Sequence, residues 1–340
     1  MTDEKIAKIE AGHDLNREES EGVMDQLLAG QLDDAQIVRM LLALRAKGET
    51  SEELVGFARA MRRRAEPVFA EGTRPNDEML DTCGTGGDNS GTFNVSTAAA
   101  FVVAGAGVRV AKHGNRSVST KSGSADVLEA LGVAVEIPAE EAGRAIAEIG
   151  IGFLFAPAAH RAVRHAMPAR RQVGGRTVFN LLGPLTNPAG ASAQVIGVFS
   201  AEVVEPMARA LAELGARHAF VVFGLDGLDE ISLSAETELA EVASGSLKQY
   251  RVSPEDFGLT RAPREALAAG DAHTSAAIIR TVLDSDRGPR RDIVLANAAA
   301  ALVAADRAAD FREGVRLAAN SIDSGAARAK LHALIAFRRR

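Results

Sequence analysis

The sequence predicts an α/β protein with a small N-terminal helical domain and a larger domain built on a mostly parallel sheet flanked by helices. Three observations predict it. Residues 1–72 carry only helix-period apolar patterning. From Met79 onward short apolar runs alternate with amphipathic helical stretches, the pattern of a parallel sheet with helical crossovers. After about residue 270 the pattern is helical again.

The N-terminal helices announce their own ends. "LDDAQIVRMLLALRAKG" offers Asp33 as N-cap, Ile37, Met40, Leu41 and Leu44 on one face, and Gly48 as the stop. "TSEELVGFARAMRRRAE" follows with a capping box from Thr50 to Glu53 and a stripe of Leu54, Phe57, Ala58 and Met61. Past the polar loop around Pro75, the strand candidates are "MLDT", "VRVA", "VAVEI", "GFLFA", "QVIGVF" and "AFVVFG". The helices between them include "SADVLEALG", "EEAGRAIAEIG" and "AEVVEPMARALAELG". "APAAHRAVRHAMPARRQVGGRTVFNLLGP" breaks the alternation with two helical stretches in succession, so the chain leaves the sheet there and returns toward the N-terminal helices. The expected division is a helical domain over 1–72, joined by parts of 157–190, and an α/β domain over 73–340.

Composition narrows the class. With 340 residues and 46% hydrophobic content the chain can bury an ample core. A net charge of −6 argues against nucleic acid as the main partner and leaves room for a local anion pocket. Cys83 is the only cysteine, which rules out an intrachain disulfide and fits a reducing compartment. The first residues are charged and lack an apolar core, and the longest apolar run, Ala98 to Val108, is too short to span a bilayer. The expectation is a cytoplasmic protein.

Four stretches carry chemistry. "GTGGD", Gly84 to Asp88, lies between a strand and a helix, where glycine amides and the positive helix end suit an anion; a plain turn is the alternative. "NVST", Asn94 to Thr97, supplies hydroxyls that cap a helix or bind phosphate or metal. "KHGNRSVST", Lys112 to Thr120, brings Lys112, His113 and Arg116 together with several hydroxyls, and no acid follows until Asp126. "GLDGLDEIS" places adjacent Asp229 and Glu230, joined by Asp226, just after a strand. Such carboxylates either hold a hard divalent cation or form an acidic surface turn. Since the carboxyl ends of parallel strands are where ligands bind, two phosphate-type loops and a carboxylate pair all following strands point to one shared site.

Taken with "SGSADVLEALG" and "RTVFNLLGPLTNP", these motifs resemble the anthranilate phosphoribosyltransferase family in order and spacing over essentially the whole chain. The resemblance implies a helical domain joined to an α/β domain, a homodimer, and magnesium. It implies transfer of phosphoribose from phosphoribosyl pyrophosphate to the amine of anthranilate. Matched residue by residue, it implies phosphoribosyl pyrophosphate contacts at Gly84, Gly87, Asp88, Thr92, Asn94, Val95, Ser96, Thr97, the run Lys112, His113, Gly114, Asn115, Arg116, Ser117, Val118, Ser119, Thr120, and Ser124. It implies anthranilate contacts at Gly84, Asn115 and Arg170, and magnesium ligation by Ser96, Asp229 and Glu230. No acid or base catalyst is implied; catalysis by positioning and electrostatics is. Two departures are Val303, where the family leads one to expect an aromatic residue, and the loose "HRAVRHAMPARR" helix around Arg170. The competing readings are a pyrimidine nucleoside phosphorylase-like enzyme and a non-catalytic nucleic-acid-binding relative. The first needs neither the acidic pair nor an arginine for a carboxylate. The second calls for a basic surface, and this chain is acidic.

Overall fold

The computed structural model describes residues 2–86, 91–117 and 122–337. The chain opens with helices α1 (Thr2–Glu10), α2 (Arg17–Leu28), α3 (Asp34–Lys47) and α4 (Ser51–Arg63). Their ends are where local chemistry puts them. The Asp33 carboxylate accepts from the Gln36 amide at 2.8 Å and caps α3, and Thr50 and Glu53 cap α4 reciprocally. Glu53 is wholly buried, and it is satisfied there: Leu15 N donates to it at 3.0 Å and Lys47 Nζ at 2.9 Å. The predicted stripes of α3 and α4 are all buried. Each such Leu or Phe contributes about 1.5–3 kcal/mol by leaving water.

The sheet then begins: β1 (Met79–Gly84), α5 (Val95–Gly105), β2 (Arg109–Gly114), α6 (Ser124–Ala130), α7 (Ala139–Ile149) and β3 (Ile151–Phe155). A helical excursion follows as α8 (Ala156–Ala159), a 3-10 turn over Arg161–Ala166, α9 (Met167–Val173) and α10 (Val178–Leu185). The sheet resumes with β4 (Ala193–Gly197), α11 (Val204–Glu213), β5 (His218–Gly224), β6 (Thr237–Ala243) and β7 (Ser246–Val252). Helices α12 (Ala272–Leu283), α13 (Pro289–Ala304), α14 (Phe311–Asp323) and α15 (Ala326–Phe337) complete the chain. No helix among the described residues is long and apolar enough to cross a membrane.

Strand order is β3-β2-β1-β4-β5-β6-β7. The first five are mutually parallel; β6 and β7 add an antiparallel edge. The chain lays β2 and β3 to one side of β1, then returns to lay β4 on the other. This puts a topological switch point between β1 and β4, where an open α/β sheet leaves a crevice for ligand.

Two corrections to the sequence reading concern strands. "VAVEI" is no strand: Val133 and Val135 are buried while Glu136 is exposed, so the alternation is real, but β2 is the only strand paired with β3, and the segment crosses as a connection. The β6–β7 hairpin went unread. Its turn, Ser244-Gly245, has φ of 49° and 80°, the double positive φ of a tight hairpin.

Period-two alternation sorts side chains between the two faces of the sheet, where two large cores form beside a smaller cluster of Met79, Ala111 and Leu154 with α7. Val195, Phe220 and Val222 face a core with α5 and α13; Ile196, Val221 and Ala240 face one shared with α1–α4 and α11. Ala166, Ala169, Phe179 and Leu182 from the helical excursion join that second core.

Candidate functional site

Everything of chemical interest gathers at the switch point. The β1 strand ends at Gly84, and the next amide, Thr85 N, donates to Gly197 O at the end of β4 at 2.8 Å. The bend carrying Asp229 lies over both strand ends. A β-carbon on Gly197 would lie 1.6 Å from Asp229 O, and one on Gly84 would lie 2.8 Å from Asp229 Oδ2. Only glycine lets the acidic bend approach this closely. Within the described residues, this close approach is one use the chain makes of its glycines here.

Ser96 and Glu230 meet on the same spot. Ser96 N, in the first turn of α5, donates to Glu230 Oε1 at 3.1 Å, so a carboxylate faces the positive end of the helix. Beneath them Lys112 Nζ donates to Thr82 O and lies 3.5 Å from Ser96 Oγ. Thr82, Cys83, Ser96, Glu230 and Asn297 line a common cavity of about 10 Å³. Neither Ser96 nor Thr97 is the cap of α5; that position falls to Asn94, whose side chain makes no capping bond. Asn94 Oδ1 instead accepts from Ser275 Oγ at 3.0 Å and Ser122 Oγ at 3.2 Å. Val95 and Thr97 are buried, so of this run Ser96 alone is seen to join the acidic pair. Thr92 bridges to Ala268, on the far side of the α5 entry.

Under the site lies a buried polar bracket. Asp81 is fully buried on β1 and accepts from His113 N at 3.1 Å and Asn187 Nδ2 at 2.8 Å. Burial raises its pKa to about 6, against the pull of Lys112 and these donors. Burial likewise pushes the Lys112 ammonium down, with Asp81 opposing. His113 Nδ1 lies 3.1 Å from Gly183 O. A carbonyl only accepts, so Nδ1 carries the proton and Nε2, buried and without a partner among the described residues, does not. Burial, with His160 at 5.3 Å between ring centroids, lowers the His113 pKa to about 3, and His160 falls to about 4. Both rings are neutral at ordinary pH. Cys83 is driven well up by the same burial, which makes it a poor nucleophile.

Arg116, after β2, is less open to anions than its sequence suggests. Arg116 is engaged by Asp126, Glu129 and Glu136, and its guanidinium lies 5.7 Å from the Phe155 ring centroid. Folding brings back the acids that the linear sequence keeps away, which corrects the reading of an acid-free loop. Asp126 also accepts from Ser117 N at 3.1 Å and Gly123 N at 2.8 Å. Burial works against its charge, but these donors and Arg116 prevail and hold its carboxyl low. Asn115 is exposed, and its Oδ1 accepts from Arg116 N. Ser124 Oγ donates to Asn115 O at 3.4 Å, beside Gly114. Gly87, Asp88, Val118, Ser119 and Thr120 lie outside the described residues.

Arg170 sits on α9 with its guanidinium 5.0 Å from the Phe179 ring centroid. No acid pairs with it among the described residues, and burial lowers its pKa. The next residue along α10, Asn180, donates to Thr85 O at 3.2 Å. Arg170 is thus linked to the glycine turn through two consecutive residues of α10. The exposed Arg164 and Arg171 flank it.

Asp229, Glu230 and Ser96 form an all-oxygen donor set, which fits a hard cation such as magnesium. Among the described residues no group of three or more His, Cys, Asp or Glu side chains is placed to hold a metal; a cation here therefore needs further oxygens from substrate or water. Asp226 does not belong to the set. Its Oδ2 accepts from Ser232 Oγ at 2.7 Å and from Ser234 Oγ, which turns it into the turn's own support. Sequence reasoning missed Asp81, Asn180, Asn187, His160 and Asn297. A charge inside an apolar strand and an asparagine inside an apolar helix are the signals that were there to read.

The model of the glycosyl transferase family a/b domain matches residues 76–328, and that of the family's helical bundle domain matches residues 4–65. An anthranilate phosphoribosyltransferase of Symbiobacterium thermophilum is 53% identical over 98% of this chain and 97% of its own. That of Geobacter sulfurreducens is 52% identical over 98% and 99%. Among solved structures, the anthranilate phosphoribosyltransferase of Thermus thermophilus superposes with a TM-score of 0.92 at 46% identity, covering 98% of this chain and 99% of that one. The Saccharomyces cerevisiae enzyme in complex with PRPP and Mg gives 0.86 at 28% identity, covering 95% and 93%. The chain belongs to the anthranilate phosphoribosyltransferase family.

Proposed function

We propose that this protein transfers the 5-phosphoribosyl group of phosphoribosyl pyrophosphate to the amine of anthranilate, releasing N-(5-phosphoribosyl)anthranilate and pyrophosphate, as the second step of tryptophan synthesis from chorismate. It acts in the cytoplasm as a homodimer assembled through the helical domain, residues 1–72 with parts of 157–190, which packs against the α/β domain of 73–340. One observation carries the reading: the Gly84 turn, Ser96 and the Asp229–Glu230 bend converge at the switch point between β1 and β4.

Asp229, Glu230 and Ser96 hold magnesium, which supplies positive charge to the departing pyrophosphate oxygens. The glycine turns after β1 and the hydroxyls of the loop after β2 bind the phosphates, and Lys112 adds a buried positive charge beneath them. Arg170 takes the anthranilate carboxylate. The aryl amine has its lone pair available at neutral pH and attacks without prior deprotonation. The chain's task is to align amine and anomeric carbon and to meet charge as it develops.

The test is direct. Incubation with phosphoribosyl pyrophosphate, anthranilate and magnesium should extinguish anthranilate fluorescence. A protein that leaves the fluorescence untouched but cleaves pyrimidine nucleosides with inorganic phosphate would overturn the assignment.

A further inference from the structure

Helix α13 contains one polar residue between Ile293 and Ala305, and it is Asn297. The side chain is 2% exposed, so its amide must be satisfied internally or cost stability. Both amide hydrogens and the oxygen are engaged by the main chain of two residues, Ile231 and Ile293. Oδ1 accepts from Ile231 N at 2.9 Å, and Nδ2 donates to Ile231 O at 3.2 Å and to Ile293 O, one turn back in its own helix, at 2.9 Å. The asparagine therefore grips the N–H and C=O of Ile231 as a neighbouring strand would.

Ile231 is the residue immediately after Glu230. On the other side of the pair, Asp229 O rests against Gly197 so closely that no β-carbon fits. The two acids are thus strung between fixed points, one on β4 and one on α13. This matters because neighbouring residues on a regular strand point to opposite sides. Here the chain bends at 229–230, and Asp229 approaches Gly84 while Glu230 reaches Ser96 N.

We propose that Asn297 is a positioning residue for the Asp229–Glu230 pair, holding the Ile231 peptide so that both carboxylates address one divalent cation together with the pyrophosphate. The inference rests on the magnesium reading of that pair. The hydrogen bonds of Asn297 all go to the main chain of Ile231 and Ile293, so it acts through the bend.

The experiment compares Asn297→Ser and the isosteric Asn297→Asp with the unaltered protein and with Asp229→Asn plus Glu230→Gln. Calorimetry of magnesium binding in the presence of phosphoribosyl pyrophosphate, without anthranilate, is read beside steady-state rates. In either folded Asn297 variant, which loses the Nδ2 donations to Ile231 O and Ile293 O, the magnesium midpoint should rise about tenfold or more, while KM for anthranilate stays within about twofold. In the background lacking both carboxylates, the Asn297 change should add nothing further, a non-additivity that general loosening would not produce. An unmoved midpoint, equal loss toward both substrates, or full additivity overturns the proposal. A midpoint unmoved by the carboxylate changes themselves sinks the magnesium reading as well, and so separates the two failures. Hydrogen exchange on the unaltered protein needs no variant: the Ile231 amide should be among the slowly exchanging ones, and rapid exchange there overturns the clamp.

Discussion

The Ser96 amide donates to the Glu230 carboxylate at 3.1 Å, across 134 positions of chain. A helix N-terminus is an anion site, and in this protein an acid of its own already faces it. Without a cation, an incoming pyrophosphate meets that charge at close range; with one, the carboxylate becomes part of the attraction. Glu230→Gln should therefore have opposite effects in the two conditions. Phosphoribosyl pyrophosphate should bind more tightly than to the unaltered protein when magnesium is chelated, and more weakly when it is saturating. Calorimetry under both conditions reads the crossing. A shift of the same sign in both would show that Glu230 does not mediate between metal and phosphate.

The two glycines under the acidic bend are not equivalent. On Gly84 an added β-carbon meets the end of the Asp229 side chain at 2.8 Å, which can rotate away; on Gly197 it meets the Asp229 carbonyl at 1.6 Å, which cannot move without the backbone. Gly84→Ala should fold with a melting temperature within a few degrees of the parent and need more magnesium for half-maximal rate. Gly197→Ala should lose about 1–3 kcal/mol of stability as an overpacked site and most of its activity. Denaturant titrations and magnesium-dependent rates distinguish them. Equal stability losses would contradict the geometry.

Local order was readable from sequence wherever one residue's chemistry decides it. Asp33, Thr50 and Glu53 mark helix starts because an orphan amide needs a nearby acceptor, and Gly84 marks a close approach because a β-carbon would clash. The motifs also pointed to strand ends: β5 finishes at Gly224 as expected, while β1 and β2 run on to Gly84 and Gly114, past the expected ends at Thr82 and Lys112. What stayed hidden depends on partners far along the chain. Arg116 read as part of an anion site because Glu129 and Glu136 reach it only in the folded chain. Asp226 read as a third acid beside Asp229 because nothing local shows Ser232 and Ser234 turning it away. Val133 and Val135 alternated like a strand while their backbone had no neighbour to pair with. The switch point itself is a property of strand order, which no local pattern encodes.

The buried ionisable groups set an unusual acid response. His113, lowered from its ordinary value of 6.5 to about 3, and His160, lowered to about 4, bind fewer protons folded than unfolded. Their contribution is present above pH 6.5 and is lost as pH falls toward 4. Asp81, raised from 3.8 to about 6, works the other way: folded it binds more protons between those values, so acidification favours it. Two groups oppose one, and melting temperature should fall between pH 6.5 and 4. Asp81→Asn should make that fall steeper below pH 6, and His113→Asn should make it shallower. Parallel profiles for all three proteins would show that these groups do not govern acid stability.

Arg170 offers the cleanest separation of the two substrates. Arg170 is half-buried, with its guanidinium 5.0 Å from the Phe179 ring centroid and without an acidic partner among the described residues. A cation held this way is available to a ligand carboxylate. Arg170→Ala should raise KM for anthranilate by about 10- to 150-fold, the equivalent of about 1.5–3 kcal/mol for a hydrogen bond to a charged group. KM for phosphoribosyl pyrophosphate should move far less. Losing the ring contact costs about 0.5–1 kcal/mol of stability, so a small drop in melting temperature is expected and can be measured separately. Arg170→Lys keeps the charge but not the two-pronged geometry, and should fall between the two. Arg164→Ala and Arg171→Ala, at exposed positions, should leave both constants near the parent values. If Arg170→Ala weakens both substrates equally while either neighbour affects anthranilate alone, Arg170 braces the helices and the carboxylate is bound elsewhere.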